Sequence, residues 1–268
     1  MCIKLSNTGI HRIKIWRFTD QLWLNYDKLF WTTEKYMPHR IAIIEDDKDL
    51  RDNYSDIFRN QGYQVTGFKN RLDAQEALKN RLPDLAIIDI GLGDEIDGGF
   101  ALCQWFRQQS STLPIIFLSA RDSDFDIVSG LRMGADDYLT KDISLPHLMA
   151  RVAALFRRME VMKEAKNIPS ELIQRGKLKI DGQRFFCSWS EINIELTLTE
   201  FWMVHALTKN VGHVKNRDQL MLESKILVDD ATITSHIKRI RKKFIQIDNN
   251  FNCIETVYGM GYRWTDQK

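Results

Sequence analysis

Cysteine is scarce in this chain: there are four in 268 residues. Cys2, Cys103, Cys187 and Cys253 stand far apart, with none of the paired spacings that bind zinc, which excludes a zinc module and a disulfide framework. They read as reduced thiols with a structural role. No run of roughly 18 apolar residues occurs, so no membrane span is expected, and the N-terminus lacks a compact signal-peptide core. A cytoplasmic protein without a membrane partner is expected. Internal repeats and low-complexity tracts are also missing. The 44% hydrophobic content is that of an ordinary folded protein, long enough for two domains.

A strong charge of one sign is lacking as well, but the net charge of +2 conceals an asymmetry. Residues 38–158 hold 15 basic and 19 acidic side chains, whereas residues 172–268 hold 15 and 11. An acidic half and a basic half imply separate tasks, and the basic half suits nucleic acid or an anionic surface.

From Ile41 the chain alternates short β-like runs with amphipathic segments. Apolar runs at Ile41–Ile44, Gln64–Phe68, Leu85–Ile88, Ile115–Leu118 and Tyr138–Thr140 alternate with helical patterns at 50–58, 72–78, 100–106, 125–133 and 148–159. Five such units predict a doubly wound α/β domain with a parallel sheet. Residues 38–158 are assigned to it, and the polar stretch 159–172, with Pro169, is read as a linker. A second domain, 173–268, carries β-like pieces near Leu178–Ile180 and Arg184–Cys187. Helices follow from Thr199, Arg217 and Asp230, and a two-strand signal surrounds Gly259-Met-Gly261. Residues 1–37, with Trp16, Trp23 and Trp31, form an extension read either as lying upstream of a true start at Met37 or as a small accessory helix.

Three strand ends in the first domain carry chemistry: Glu45-Asp46, Asp89 and Lys141. Strand C-termini of an open parallel sheet converge on one crevice where ligands bind. Carboxylates gathered there repel unless a cation neutralises them, and a hard divalent ion with oxygen ligands does so. Mg²⁺ is the expected metal and a phosphoryl group its companion.

With Ser119-Ala120 and the run Gly134-Ala-Asp-Asp-Tyr138, these residues resemble the receiver domain of bacterial two-component response regulators, a five-stranded, flavodoxin-like fold. The resemblance implies that Asp89 accepts a phosphoryl group from a sensor histidine kinase. It implies that Glu45, Asp46, Asp89 and the Gly91 carbonyl hold Mg²⁺, that Lys141 and Ser119 contact the phosphoryl oxygens, and that Tyr138 is a switch. It further implies a homodimer on activation through Ile127, Asp136, Asp137, His147 and Arg151. Two departures stand out. Asp142 follows Lys141 where the family has proline, so the bond is trans or strained. The loop after Asp89 is one residue longer and adds Asp94, Glu95 and Asp97.

In Asp230–Phe244 the residues Ile233, Ile237, Ile240 and Phe244 form one apolar stripe, with Ser235, Lys238, Arg239 and Lys242 opposite and Asp229 or Asp230 as the cap. A cationic face backed by a buried stripe suits a major groove, although it also suits a surface anchor. Leu196–Phe201, Val214–Leu220, this helix and Ile254–Trp264 resemble, in order, the α+β winged helix-turn-helix effector of the OmpR/PhoB class. The resemblance implies contacts to double-stranded promoter DNA from Thr232, Thr234, His236, Lys238, Arg239, Arg241, Lys242, Tyr258 and Arg263, with Arg239 reading bases; RNA polymerase is a further partner. His236 reads equally as an internally bonded structural histidine. Tyr258 replaces an arginine common in the family, which weakens wing-based reading of A·T pairs.

The expected function is a phosphorylation-dependent DNA-binding transcriptional regulator, not an enzyme; the competing reading is a phosphorylation-independent binder with a degenerate receiver. An aspartate-nucleophile phosphatase needs a second carboxylate two residues after Asp89, and Gly91 is there. The segments Gly91–Phe100 and Lys141–Leu148 also resemble a subgroup of regulators associated with proteobacterial dedicated sortase systems.

Overall fold

The computed structural model describes residues 38–164, 172–224 and 230–266. The extension 1–37, the Pro169 segment of the linker, and Asp229 as a cap lie outside the described residues, as does the side chain of Asp230.

The first domain runs β1 (Arg40–Ile44), α1 (Lys48–Asn60), β2 (Gln64–Phe68), α2 (Arg71–Leu78), β3 (Leu85–Ile88), α3 (Gly98–Gln109), β4 (Ile115–Ser119), α4 (Asp124–Met133), β5 (Asp137–Thr140) and α5 (Leu145–Glu164). Its strands pair in parallel in the order β2-β1-β3-β4-β5. This is the expected doubly wound sheet. Every residue of β3 and β4 is buried, as central parallel strands covered on both faces require. Edge strand β2 buries only Phe68.

Polar caps set the helix starts. The Asp47 carboxylate accepts the amides of Asp49 and Leu50 at the head of α1, and Asn70 and Ser123 cap α2 and α4. One apolar layer gathers Leu102, Phe106, Phe117 and Leu131 under α3 and α4. The other gathers Phe58, Leu148, Val152 and Phe156 under α1 and α5. Burying each such side chain contributes about 1.5–3 kcal/mol.

The second domain opens with an antiparallel sheet of β6 (Leu172–Arg175), β7 (Leu178–Asp181), β8 (Phe186–Trp189) and β9 (Ile192–Asn193). Helices α6 (Leu198–Lys209), α7 (Arg217–Glu223) and α8 (Asp230–Ile247) follow, then the hairpin of β10 (Ile254–Val257) and β11 (Gly261–Trp264). Strands β6 and β9 escape sequence reading because they are short and carry exposed positions. Reciprocal capping boxes start α6 (Thr197 with Glu200) and α7 (Asn216 with Gln219). Ile233, Ile237, Ile240 and Phe244 are all buried, so the stripe faces the core as its spacing requires. Trp189 packs edge-on against Phe244 and Phe251, with centroids 5.6 and 5.1 Å away.

Cys103, Cys187 and Cys253 are free and buried. Burial pushes their thiols up, Cys187 to about 12 and the other two to about 11, which leaves them inert packing groups. Among the described residues, no helix is long and apolar enough to cross a membrane.

Candidate phosphoryl-acceptor site and DNA interface

Register brings the acidic residues together. Ile44 of β1 lies opposite Ile88 of β3, so Glu45 and Asp89, the next residues on each strand, leave the sheet side by side. The Asp89 amide donates to the Ile44 carbonyl at 2.9 Å. Carboxylate oxygens of Glu45, Asp46 and Asp89 lie within 4.8 Å of one another. Lys141, leaving the far end of β5, places Nζ 2.7 Å from Asp89 Oδ2 and 2.8 Å from the Glu45 carboxylate.

One ammonium among three carboxylates leaves a local excess of negative charge, and an all-oxygen donor set suits Mg²⁺. Burial pushes the Glu45 carboxyl up, and the neighbouring Asp89 charge adds to the rise while Lys141 opposes it. Burial alone would lower Lys141, but its bonds to Asp89 and Glu45 outweigh that and hold its ammonium above the ordinary lysine value. The two directions are consistent, because one ammonium serves two carboxylates.

Two of the three acidic side chains that the longer acceptor loop adds are balanced by arginines. Glu95 is paired with Arg71 at 2.6 Å and Asp97 with Arg121 at 3.0 Å. The Gly93 amide donates to Asp46 Oδ2 at 3.1 Å, which ties the loop to the acidic cluster. Gly91 lies in the same loop with open space around its α-carbon. At Gly99 no side chain is possible: a Cβ would run into the Asp89 carbonyl oxygen and come within 2.7 Å of Ile90 Cα. Gly99→Ala is therefore expected to destabilise the domain by about 1–3 kcal/mol in urea denaturation and to displace Asp89; uptake of phosphate at the normal rate would refute the second effect.

Ser119 ends β4, buried, and its Oγ accepts the Arg121 amide at 3.4 Å. Tyr138 points inward, 3% exposed, and its hydroxyl donates to the Arg121 carbonyl at 2.8 Å. Burial, with Asp126 adding, pushes its phenol up to about 12, so it stays a donor. The Lys141–Asp142 bond is trans, and the exposed Asp142 carboxylate accepts from the Thr140 hydroxyl.

On α8 only part of the expected DNA face is open. Lys238 and Lys242 are exposed, as is Tyr258 (93%) between β10 and β11. Arg263 pairs with Glu255 at 2.8 Å. Thr234 shares a hydrogen bond with the Tyr262 hydroxyl at 3.3 Å. Arg241 donates to the Ile254 carbonyl and to Thr256 Oγ1, each at 2.9 Å, and so fastens the hairpin to α8. Contrary to the sequence expectation, Thr232 and His236 are fully buried and the Arg239 side chain is 9% exposed. The reason for the last two is that this part of α8 is seated on the first domain. Of the two readings of His236, the internally bonded one describes this structure, with Nε2 donating to the Asp136 carbonyl at 3.1 Å. Arg239 binds Glu200 and the carbonyls of Leu131 and Ala135.

The candidate pairing residues need the same correction. Asp136 is not surface-accessible; it is fully buried and paired with Arg107 at 2.9 Å. Asp137 pairs within the chain with Arg151 at 3.5 Å. Ile127 is half-buried and His147 exposed.

Two family models match: response regulator receiver domain over residues 41–153, and transcriptional regulatory protein, C terminal, over 191–264. The transcriptional regulatory protein CreB of Escherichia coli is 33% identical over 225 residues, 83% of this chain and 96% of that protein. The transcriptional regulatory protein PhoP of another Escherichia coli strain is 36% identical over 226 residues, 83% and 97%. A mutant of RitR shares the fold, with TM-score 0.69 at 20% identity over 85% of this chain and 100% of that one. The chain belongs to the response regulators of the OmpR/PhoB type, in which a receiver domain precedes a winged-helix DNA-binding domain. It is a phosphorylation-dependent transcriptional regulator rather than an enzyme, and its class works with sensor histidine kinases and promoter DNA.

Sequence reading missed Arg107, Arg121 and the ion-pairing role of Glu200. The motif Thr197-Leu-Thr-Glu200 signals a capping box, but nothing local announces that Glu200 also binds Arg239 and Lys243.

Proposed function

We propose that Asp89 is the phosphoryl acceptor and that its modification controls promoter binding by α8 and the β10–β11 wing. The observation that carries this is the convergence of Glu45, Asp46, Asp89 and Lys141 within hydrogen-bonding or ligating distance at the ends of three strands. An Asp89 carboxylate oxygen forms a bond to phosphorus as the P–N bond to the kinase histidine breaks, and that electron pair returns to the imidazole. Glu45, Asp46, Asp89 and the Gly91 carbonyl would hold Mg²⁺, which supplies charge neutralisation at the phosphoryl oxygens. Lys141 turns its ammonium from Asp89 to an incoming oxygen, and Ser119 donates its hydroxyl to another. Tyr138 reports the event along β5.

DNA contact is assigned to Lys238, Lys242 and Tyr258, exposed now, to Thr232, Thr234, Arg241 and Arg263 of the same helix and hairpin, and to His236 and Arg239 once α8 is free. Activated receivers pair through Ile127, Asp136, Asp137, His147 and Arg151, and linking two weak half-site contacts raises affinity. The protein is assigned to the cytoplasm, with RNA polymerase as a further partner. The residues of 91–100 and 141–148 support placement in the sortase-associated subgroup; a sortase gene and a histidine kinase gene beside its own would support that, and their absence would count against it.

The test is incubation with a small phosphodonor and Mg²⁺, read by intact mass and by affinity for promoter DNA. Wild type is expected to gain one phosphoryl group and bind DNA more tightly, and Asp89→Ala to do neither. Equal DNA affinity of both proteins with and without donor would instead favour the phosphorylation-independent reading.

A further inference from the structure

A cleft of about 460 Å³ opens beside α8, and the acceptor chemistry makes no use of it. Its walls come from the ends of α3 and α4 on the receiver side and from β9 and α8 on the effector side. Five cationic side chains line it, Arg107, Arg132, Arg239, Lys242 and Lys243, against a single carboxylate, that of Glu195. Three of the five are fixed in the wall. Arg107 donates to the Gly134 carbonyl and to Asp136 Oδ2, each at 2.9 Å, and the other oxygen of Asp136 accepts the Thr199 amide at 3.0 Å. Arg239 and Lys243 share the Glu200 carboxylate. The other two, Arg132 of α4 and Lys242 of α8, are exposed and have no partner among the described residues. With Asp136 and Glu200 counted, five cations face three carboxylates, and the excess lies on these two unpaired side chains.

Burial holds the Lys243 ammonium below the ordinary lysine value; Glu200 opposes this, and the charges of Arg239 and Arg107 add to it. A wall that disfavours its own cations gains from a bound anion. Charge is not the whole lining. Met133 and Ile247 supply half-buried apolar surface, and Gln246 brings an exposed side-chain amide. Pockets for organic ligands commonly enclose about 300–1,000 Å³ and combine apolar walls with a few polar groups. A bare phosphate would leave most of this volume empty. We infer that the cleft is a binding site for an organic phosphate of nucleotide size, its phosphates held between Arg132 and Lys242 and its ring against Met133 and Ile247. Lys242 is also one of the DNA contacts assigned above, so a ligand that occupies it competes with the DNA backbone for the same ammonium. Promoter binding would then respond to an organic phosphate without any change at Asp89. This consequence rests on the regulator reading; the site itself does not.

The test is isothermal titration of the full chain with ADP in EDTA, so that no metal can carry the nucleotide to Glu45, Asp46 and Asp89. Wild type is expected to bind one ADP per chain, at least tenfold more tightly than inorganic pyrophosphate at the same ionic strength. Arg132→Glu and Gln246→Glu, both at exposed positions and checked for folding by circular dichroism, are each expected to weaken ADP at least tenfold. ADP is further expected to weaken the binding of promoter DNA by wild type at least fivefold, and to leave that of Arg132→Glu at its own value without ADP. Absence of ADP binding by wild type overturns the site, as does ADP binding that survives in both folded variants. Pyrophosphate bound as tightly as ADP overturns the assignment to a nucleotide-sized ligand. ADP bound with DNA affinity unchanged overturns the competition. A chain that binds ADP as described but no DNA under any condition sinks the regulator reading and leaves the site intact.

Discussion

Lys141→Ala is expected to slow phosphoryl uptake from a small donor by about 10²–10³-fold, the usual effect of removing one preorganised charge donor. The ammonium is 2.7 Å from Asp89 and 2.8 Å from Glu45, so it stands where charge develops on the transferring group. Single-turnover labelling followed by mass spectrometry measures the effect. Labelling of Lys141→Ala at the wild-type rate would remove Lys141 from the proposed chemistry, whereas Asp89→Ala should take up nothing at any pH.

The largest expected loss of stability follows Glu200→Ala. Glu200 is fully buried; burial by itself raises its carboxyl, but the charges of Arg239 and Lys243 outweigh that and bring it down to about 2. Deleting it takes the shared carboxylate from the buried Arg239 and the part-buried Lys243 at the seam where α8 meets the receiver, which costs about 3 kcal/mol, the low end for breaking a buried pair. Thr197→Ala, which removes the other half of the capping box, should cost only about 1 kcal/mol. Urea denaturation of both variants tests the contrast; equal losses would mean that the cap, not the ion pairs, holds this end of α6.

Acid should loosen the same seam in two stages. Burial, with Arg239 adding, pushes His236 down to about 3, against opposition from Glu200 and Asp136, so the docked state requires a neutral ring. An undocked or unfolded His236 takes a proton near its ordinary 6.5. The docked state is therefore fully favoured above that value and loses about 2 kcal/mol by pH 5, at about 1.36 kcal/mol per unit. Glu200, depressed from 4.5 to about 2, contributes its stability above 4.5 and loses it between those values. Thermal unfolding followed from pH 7 to pH 3 should show both losses, and His236→Gln should lack the first.

Most of the acceptor site was legible before the fold was known, because it is written at strand ends. An apolar run predicts a buried parallel strand, and the residue after it must emerge in the crevice; this is why Glu45, Asp46, Asp89 and Lys141 could be placed from order alone. The apolar stripe of α8 was legible for a similar reason, since a period of 3.6 fixes which residues share a face. What covers the opposite face has no such signature. Arg239 looks the same in a sequence whether it meets a guanine or the Leu131 carbonyl, and Asp136 whether it meets a second receiver or the Thr199 amide.

By itself, then, the sequence determined the two folds, the acidic cluster and the chemistry that cluster can support, since local periodicity and strand register follow from neighbouring residues. Only the tertiary structure decided that α8 lies against α4 and the turn that follows it, that His236 is a buried neutral donor, and that Glu200 gathers two cations. Those contacts join residues 39 to 108 positions apart, and their energy depends on the exclusion of water at the seam, which no local pattern encodes.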